Sequence, residues 1–201
     1  MCKPFTAAGL LLSAVLSSGA LSCWAAETQP RQHDAHVHGV GTMNVAVAEG
    51  QLLIELSIPA HDLVGFEHQP KTPPQRAVLE QALARLRQGG ALFVTDAQAE
   101  CRLQQQDVAS ALLAVEASAD AEHHHHDEHD EHDEHDEHDE GHAEFELRYQ
   151  FECQQPARLN TLTINLFSEF PDLAQLKVQL IGPGGQSGMV ARAGNNRLVL
   201  R

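Results

Sequence analysis

Basic residues are scarce in this chain of 201. Thirteen Lys and Arg stand against 28 Asp and Glu, a formal charge of −15 with histidine neutral. With no basic patch to meet phosphate, the composition argues against nucleic acid as a partner. Anionic membrane surfaces are disfavoured on the same ground. Long apolar runs are scarce too. Beyond the first 26 residues no segment is long and apolar enough to span a membrane. Methionine is limited to Met43 and Met189 after the leader, which argues against a methionine-rich copper(I) carrier. No H-E-x-x-H is present, and "HVHGVG" (His36–Gly41) lacks the D-H that would complete an H-x-H-x-D-H metal pattern.

The start reads as an export signal. Lys3 supplies a short positive end, Phe5–Leu21 an apolar stretch, and "SCWAAE" a small-x-small cleavage pattern. Cleavage after Ala25 or Ala26 would leave a single periplasmic domain over residues 27–201. Cys23 offers lipid attachment as an alternative, but Ala20 stands where a leucine is usual three residues before such a cysteine. Loss of the leader removes Cys2 and Cys23 and leaves Cys101 and Cys153. In an oxidising compartment that pair is expected to form a disulfide, with two buried free thiols as the alternative. The bridge would pin together the two stems from which the segment between them emerges.

That segment is the most unusual part of the chain. Glu122–His142 carries 11 of the 28 acids and 9 of the 14 histidines, with five H-D-E triplets beginning at His126, His129, His132, His135 and His138. His123, His124 and His125 precede the triplets and His142 follows them. Without this tract the remainder would carry about −4, an ordinary value for a soluble domain. No large apolar residue lies within it, so no core can form there, and a helix would stack like charges three and four residues apart. The expectation is an extended, disordered loop. Its chemistry is that of a metal trap. Imidazole suits zinc and other late divalent ions, carboxylate adds charge, and many near-equivalent ligands imply several sites with fast exchange. All nine histidines are candidate ligands, and protons should compete with metal for each. A solvated acidic spacer with no ligand role is the plain alternative.

Around the tract the pattern is mainly β, an α+β fold of antiparallel sheets with one main helix. Thr42–Pro59 reads as two strands around a Glu49-Gly50 turn, and "AEFELRYQFEC" (Ala143–Cys153) alternates at the period of a half-buried strand. Further strands are expected at Ala91–Val94, Ala99–Gln104, Val108–Ala117, Leu159–Phe167, Leu176–Gly182, Ser187–Ala193 and Arg197–Arg201. Pro74–Gly90 is the helix, with Val78, Leu79, Leu83 and Leu86 on its apolar face. The tract is then an insertion between two strands, tolerable because loop entropy grows only logarithmically with length.

A second group of ligand types flanks the first hairpin. His33, His36 and His38 lie before it, and His61 and His68 follow it, with Asp62 and Glu67 as lesser candidates. Converging at one end of the sheet, they could form an ordered tetrahedral zinc site, or they could be surface loop histidines beside an exposed terminus.

The opening "HDAHVHGVGTMNVAV", the following "GQLLIELSIPAHDLVGFEH" and the internal His/Asp/Glu tract together resemble the ZrgA-like periplasmic zinc-uptake proteins. The resemblance covers essentially the whole chain after the leader. It implies a soluble periplasmic Zn2+ binder that assists a zinc ABC transporter or its substrate-binding protein. It also implies zinc ligation by tract histidines and by His36 and His38. Two other readings stand beside this one. A storage or detoxification buffer for zinc, nickel or copper would use the same tract. A zinc hydrolase would need three protein ligands, an open position and a base such as Glu67 or Asp62; the missing catalytic signatures argue against an enzyme.

Overall fold

The computed structural model describes residues 37–113 and 143–201. All of them belong to one compact unit, Asp34–Arg201. The leader, His33, His36 and the tract lie outside the described residues.

Two strands open the fold, β1 (Val40–Ala48) and β2 (Gln51–Pro59). Glu49 and Gly50 between them both adopt positive φ, 51° and 84°. That is the signature of a two-residue type I′ turn, whose twist matches that of the flanking strands. Val45 therefore pairs with Ile54 and Thr42 with Ser57. Alternation along β2 buries Leu52, Ile54, Leu56 and Ile58 and leaves Glu55 and Ser57 less covered. β5 (Glu144–Cys153) pairs with β2 and buries Phe145, Leu147, Tyr149 and Phe151 on the same face. Six strands make this main sheet, in the order β4-β5-β2-β1-β7-β8, with β4 Cys101–Ser110, β7 Gln175–Gly182 and β8 Gly185–Ala191. Its pairs are antiparallel except β1 with β7, which run parallel. β3 (Phe93–Thr95), β6 (Thr161–Ile164) and β9 (Arg197–Val199) form a second, antiparallel sheet in the order β3-β6-β9.

After β2 come α1 (Ala60–Val64) and the main helix, α2 (Pro73–Leu86). Thr72 caps α2 by a reciprocal exchange with Gln75, and Pro73 occupies its first turn, where a missing N–H costs nothing. The helix buries Leu79, Ala82 and Leu86. Val78, expected on the apolar face, is 41% exposed. One residue is 100° of helical arc, so Val78 stands to the side of the stripe through 79, 82 and 86. Burying each leucine contributes about 1.5–3 kcal/mol. The chain does not enter strand at Ala91 as expected. It makes a further helical turn, Gly89–Leu92, and only then enters β3. Gly89 is needed there because a Cβ would lie 2.5 Å from a ring carbon of Tyr149. The Tyr149 hydroxyl donates to the Leu86 carbonyl at 2.7 Å, and its burial pushes the phenol pKa far up. The inner faces of both sheets and the buried stripe of α2 join in a single hydrophobic core.

The strands expected over Ala99–Gln104 and Val108–Ala117 are, as far as Leu113, one strand, β4, followed by a short 3-10 turn at Ala111–Leu113, and residues 114–117 lie outside the described residues. A register shift between Leu103 and Gln105 accounts for the broken alternation in the sequence. An extra residue in an edge strand also blunts it against pairing with other chains. Cys101 and Cys153 form the expected disulfide, directly opposite each other across β4 and β5. It joins the two strands that flank the tract, as expected, but at their far end. The tract leaves and re-enters at the Ser110–Phe145 end of this ladder, and the bridge closes the other end. Nine residue steps, about 30 Å of strand, separate them. The bridge fixes the base of the two strands, while hydrogen bonds hold the mouth.

Candidate functional site

Two of the histidines that flank the first hairpin, His38 and His61, meet at one end of the main sheet. His38 occupies a turn just before β1, and His61 sits in the first turn of α1, which begins directly where β2 ends. Their rings stack with centroids 4.2 Å apart and planes 5° from parallel. Glu67, in the loop after α1, places a carboxylate oxygen 3.0 Å from His38 Nε2. The side chains of His38 and His61 are 52% and 43% exposed, so the pair is open to solvent.

Beneath them lies Asp62, the only buried polar or charged side chain among the described residues, at 2% exposure. Both of its oxygens accept the Gly39 N–H, each at 2.8 Å. Gly39 has φ +80°, a left-handed conformation that favours glycine, and it turns the chain from His38 into β1. Burial raises the Asp62 pKa above the usual carboxylate range. The Gly39 amide and the charges of His38 and His61 when protonated pull it back. Asp62 Oδ1 is 3.7 Å from His61 Nδ1, within ion-pair range and beyond a hydrogen bond. Nδ1 is itself buried and has no hydrogen-bond partner.

His68 is placed differently. Its Nδ1 meets the Gln69 carbonyl at 2.8 Å and its ring lies on Phe66, centroids 5.5 Å apart. Both ends of the described chain around the tract reach this same segment. The Ala60 N–H donates to the Ala143 carbonyl at 2.8 Å, and the Gln69 side-chain amide donates to the Ala111 carbonyl.

Two imidazoles and a carboxylate are the donor types zinc takes. Among the described residues, however, no three His, Cys, Asp or Glu side chains are arranged to hold a metal ion. Glu67 contacts Nε2 of His38, one of the two ring nitrogens through which an imidazole can bind metal. The two acids that the sequence offered as lesser candidates stand beside these histidines. Glu67 contacts His38, and Asp62 links the His38 turn to α1. The signal for Asp62 was the H-D pair at the start of a helix, facing an H-G pair at the start of a strand.

No helix among the described residues is long and apolar enough to cross a membrane. The model of one family, described as ZrgA family zinc uptake protein, matches residues 35–200. Comparison with the curated proteins found no match.

Proposed function

The chain belongs to the ZrgA family of zinc uptake proteins, and on that premise we propose that it is a periplasmic zinc-binding accessory protein, exported by its first 26 residues. It captures Zn2+ on the Glu122–His142 tract and on an ordered site at His38 and His61. It assists high-affinity uptake by passing the ion to an ABC transporter or its substrate-binding protein. It is not an enzyme in this reading.

The observation that supports the ordered site is the convergence of His38, His61 and Glu67 around buried Asp62. His33 and His36 precede His38 in the chain and are the proposed further ligands, with His68 a residue away from Glu67. The ion is cargo, so fast exchange is an advantage. A tract of near-equivalent ligands loads readily, and the few ordered donors give one defined place of departure. Ala143 and Ala111, on either side of the tract, contact Ala60 and Gln69, which flank His61 in the chain.

Calorimetric zinc titration of the metal-free mature protein tests the reading. Replacing residues 122–142 with a short Gly/Ser linker should cut the number of ions bound and leave a residual site, which His38→Ala with His61→Ala then removes. Unchanged stoichiometry after loss of the tract would overturn the capture role. A strain lacking the protein should grow poorly under zinc starvation; a defect only under zinc excess would favour the storage buffer instead.

A further inference from the structure

Asp62 has a place in this site that neither its charge nor its position in the sequence assigns. It is buried, yet among the described residues no lysine or arginine pairs with it. Its two oxygens converge on one amide, that of Gly39, and both act as acceptors, the role of an ionised carboxylate. The nearest polar atom without a partner is His61 Nδ1, 3.7 Å from Oδ1 and buried although the His61 side chain as a whole is 43% exposed. The exposed part of that ring is therefore the edge away from Nδ1. A neutral imidazole carries one proton, on one nitrogen or the other. A buried carboxylate behind Nδ1 favours the proton there, which leaves Nε2 as the lone-pair nitrogen on the open side.

We infer that Asp62 is a positioning residue: it holds His61 in the Nδ1–H tautomer with Nε2 free for metal, and through the Gly39 amide it seats the His38 turn so that the two rings stack. It is not itself a ligand. Both of its oxygens face inward, onto the Gly39 amide, and its 2% exposure leaves no path for an ion. A carboxylate that orients a metal-binding histidine from behind is a common arrangement, and its loss typically costs 10- to 100-fold in affinity. Here the one carboxylate also reaches across the hairpin to the Gly39 amide, next to the second histidine.

The inference rests on the proposed role of His61 in zinc binding, but its first test does not. In the full zinc-free chain at mildly alkaline pH, where imidazole is neutral, long-range proton–nitrogen NMR identifies the His61 tautomer. The wild type should carry the proton on Nδ1. In Asp62→Asn the side-chain oxygen can still accept from Gly39, but the NH2 group faces Nδ1 and favours the Nε2–H form. The tautomer should switch while the amide spectrum of the β-sheets stays in place. A zinc titration followed at the His61 ring nitrogens should then need about 10- to 100-fold more zinc in the variant. An Nε2–H tautomer in the wild type, or an unchanged tautomer in Asp62→Asn with the fold intact, would overturn the inference. If the tautomer switches and zinc never perturbs His61 in the wild type, the positioning stands and the proposed ordered zinc site falls. Should Asp62→Asn fail to fold, Asp62→Glu serves as the second variant. Its longer carboxylate can reach Nδ1 and should keep the Nδ1–H form, and a switch there would sink the inference.

Discussion

The amide of Ala60 donates to the carbonyl of Ala143 at 2.8 Å, joining the first residue of the helix that carries His61 to the residue that follows the histidine tract. The β2–β5 ladder runs up to this bond, with Pro59 opposite Glu144. Zinc bound at His61 should therefore be felt at the mouth of the tract. Hydrogen exchange at the Ala60 amide should slow about tenfold when zinc is added, the effect of about 1.4 kcal/mol of local stabilisation. His61→Ala should abolish that protection. Equal protection in the variant would mean that the two features are not coupled.

The disulfide should matter for stability and not for metal. Cys101 and Cys153 are 52 residues apart in sequence, so opening the bridge frees a long loop in the unfolded chain. Cys101→Ser with Cys153→Ser is expected to cost about 2–4 kcal/mol in urea unfolding. Zinc affinity at the proposed His38–His61 site, at the far end of the ladder, should be unchanged in the variant under native conditions.

Gly89→Ala should be one of the more damaging single-methyl changes available. The added Cβ meets Tyr149 ring carbons at 2.5 and 2.8 Å, and moving the ring disturbs its hydroxyl bond to Leu86. The expected loss is about 1–3 kcal/mol. Tyr149 is the only tyrosine in the chain, so its near-ultraviolet signal reports the displacement directly.

Acid should weaken the link between β3 and β6 through Asp96. Burial raises its pKa, but this is outweighed by the Asn160 amide, the Thr161 hydroxyl and the Thr161 amide, with Arg197 adding to them, and the net effect is downward. A carboxyl with a folded pKa below its unfolded one stabilises the fold above the unfolded value and loses that contribution as pH falls through the folded value. Asp96→Asn should thus lower the melting temperature at neutral pH. The gap from wild type should narrow as the pH drops below about 3.8, the ordinary aspartate value. A constant gap down to strongly acid pH would show that the charge is not what matters.

Much of this protein was written locally. The Glu49-Gly50 turn, the alternation of β5, the capping of α2 and the two surviving cysteines each rest on neighbours in sequence or on simple periodicity. The hairpin also carried the site further than the histidine spacing alone. A two-residue turn pairs residues at equal steps on either side, and the eleventh step outward from Glu49 and Gly50 reaches His38 and His61. Their meeting is thus a consequence of register, which the turn fixes. Where the sequence misled, a distant contact had overruled a local pattern. Gly89, packed on Tyr149, opens a second helical turn where a strand was expected soon after, and β4 reads as two strands because its bulge breaks the alternation.

The sequence by itself determined which residues carry ligand chemistry, how the hairpin aligns His38 with His61, and which cysteines can bridge, because these depend on side-chain chemistry and on periods of two and 3.6. Only the tertiary structure decided that β1 also pairs in parallel with β7, that the disulfide closes the end of the ladder remote from the tract, and that Asp62 lies buried behind His61. Each of these joins segments far apart in the chain. What settles them is which apolar faces can be buried together and which polar groups must then find partners inside, and no stretch of neighbouring residues carries that information.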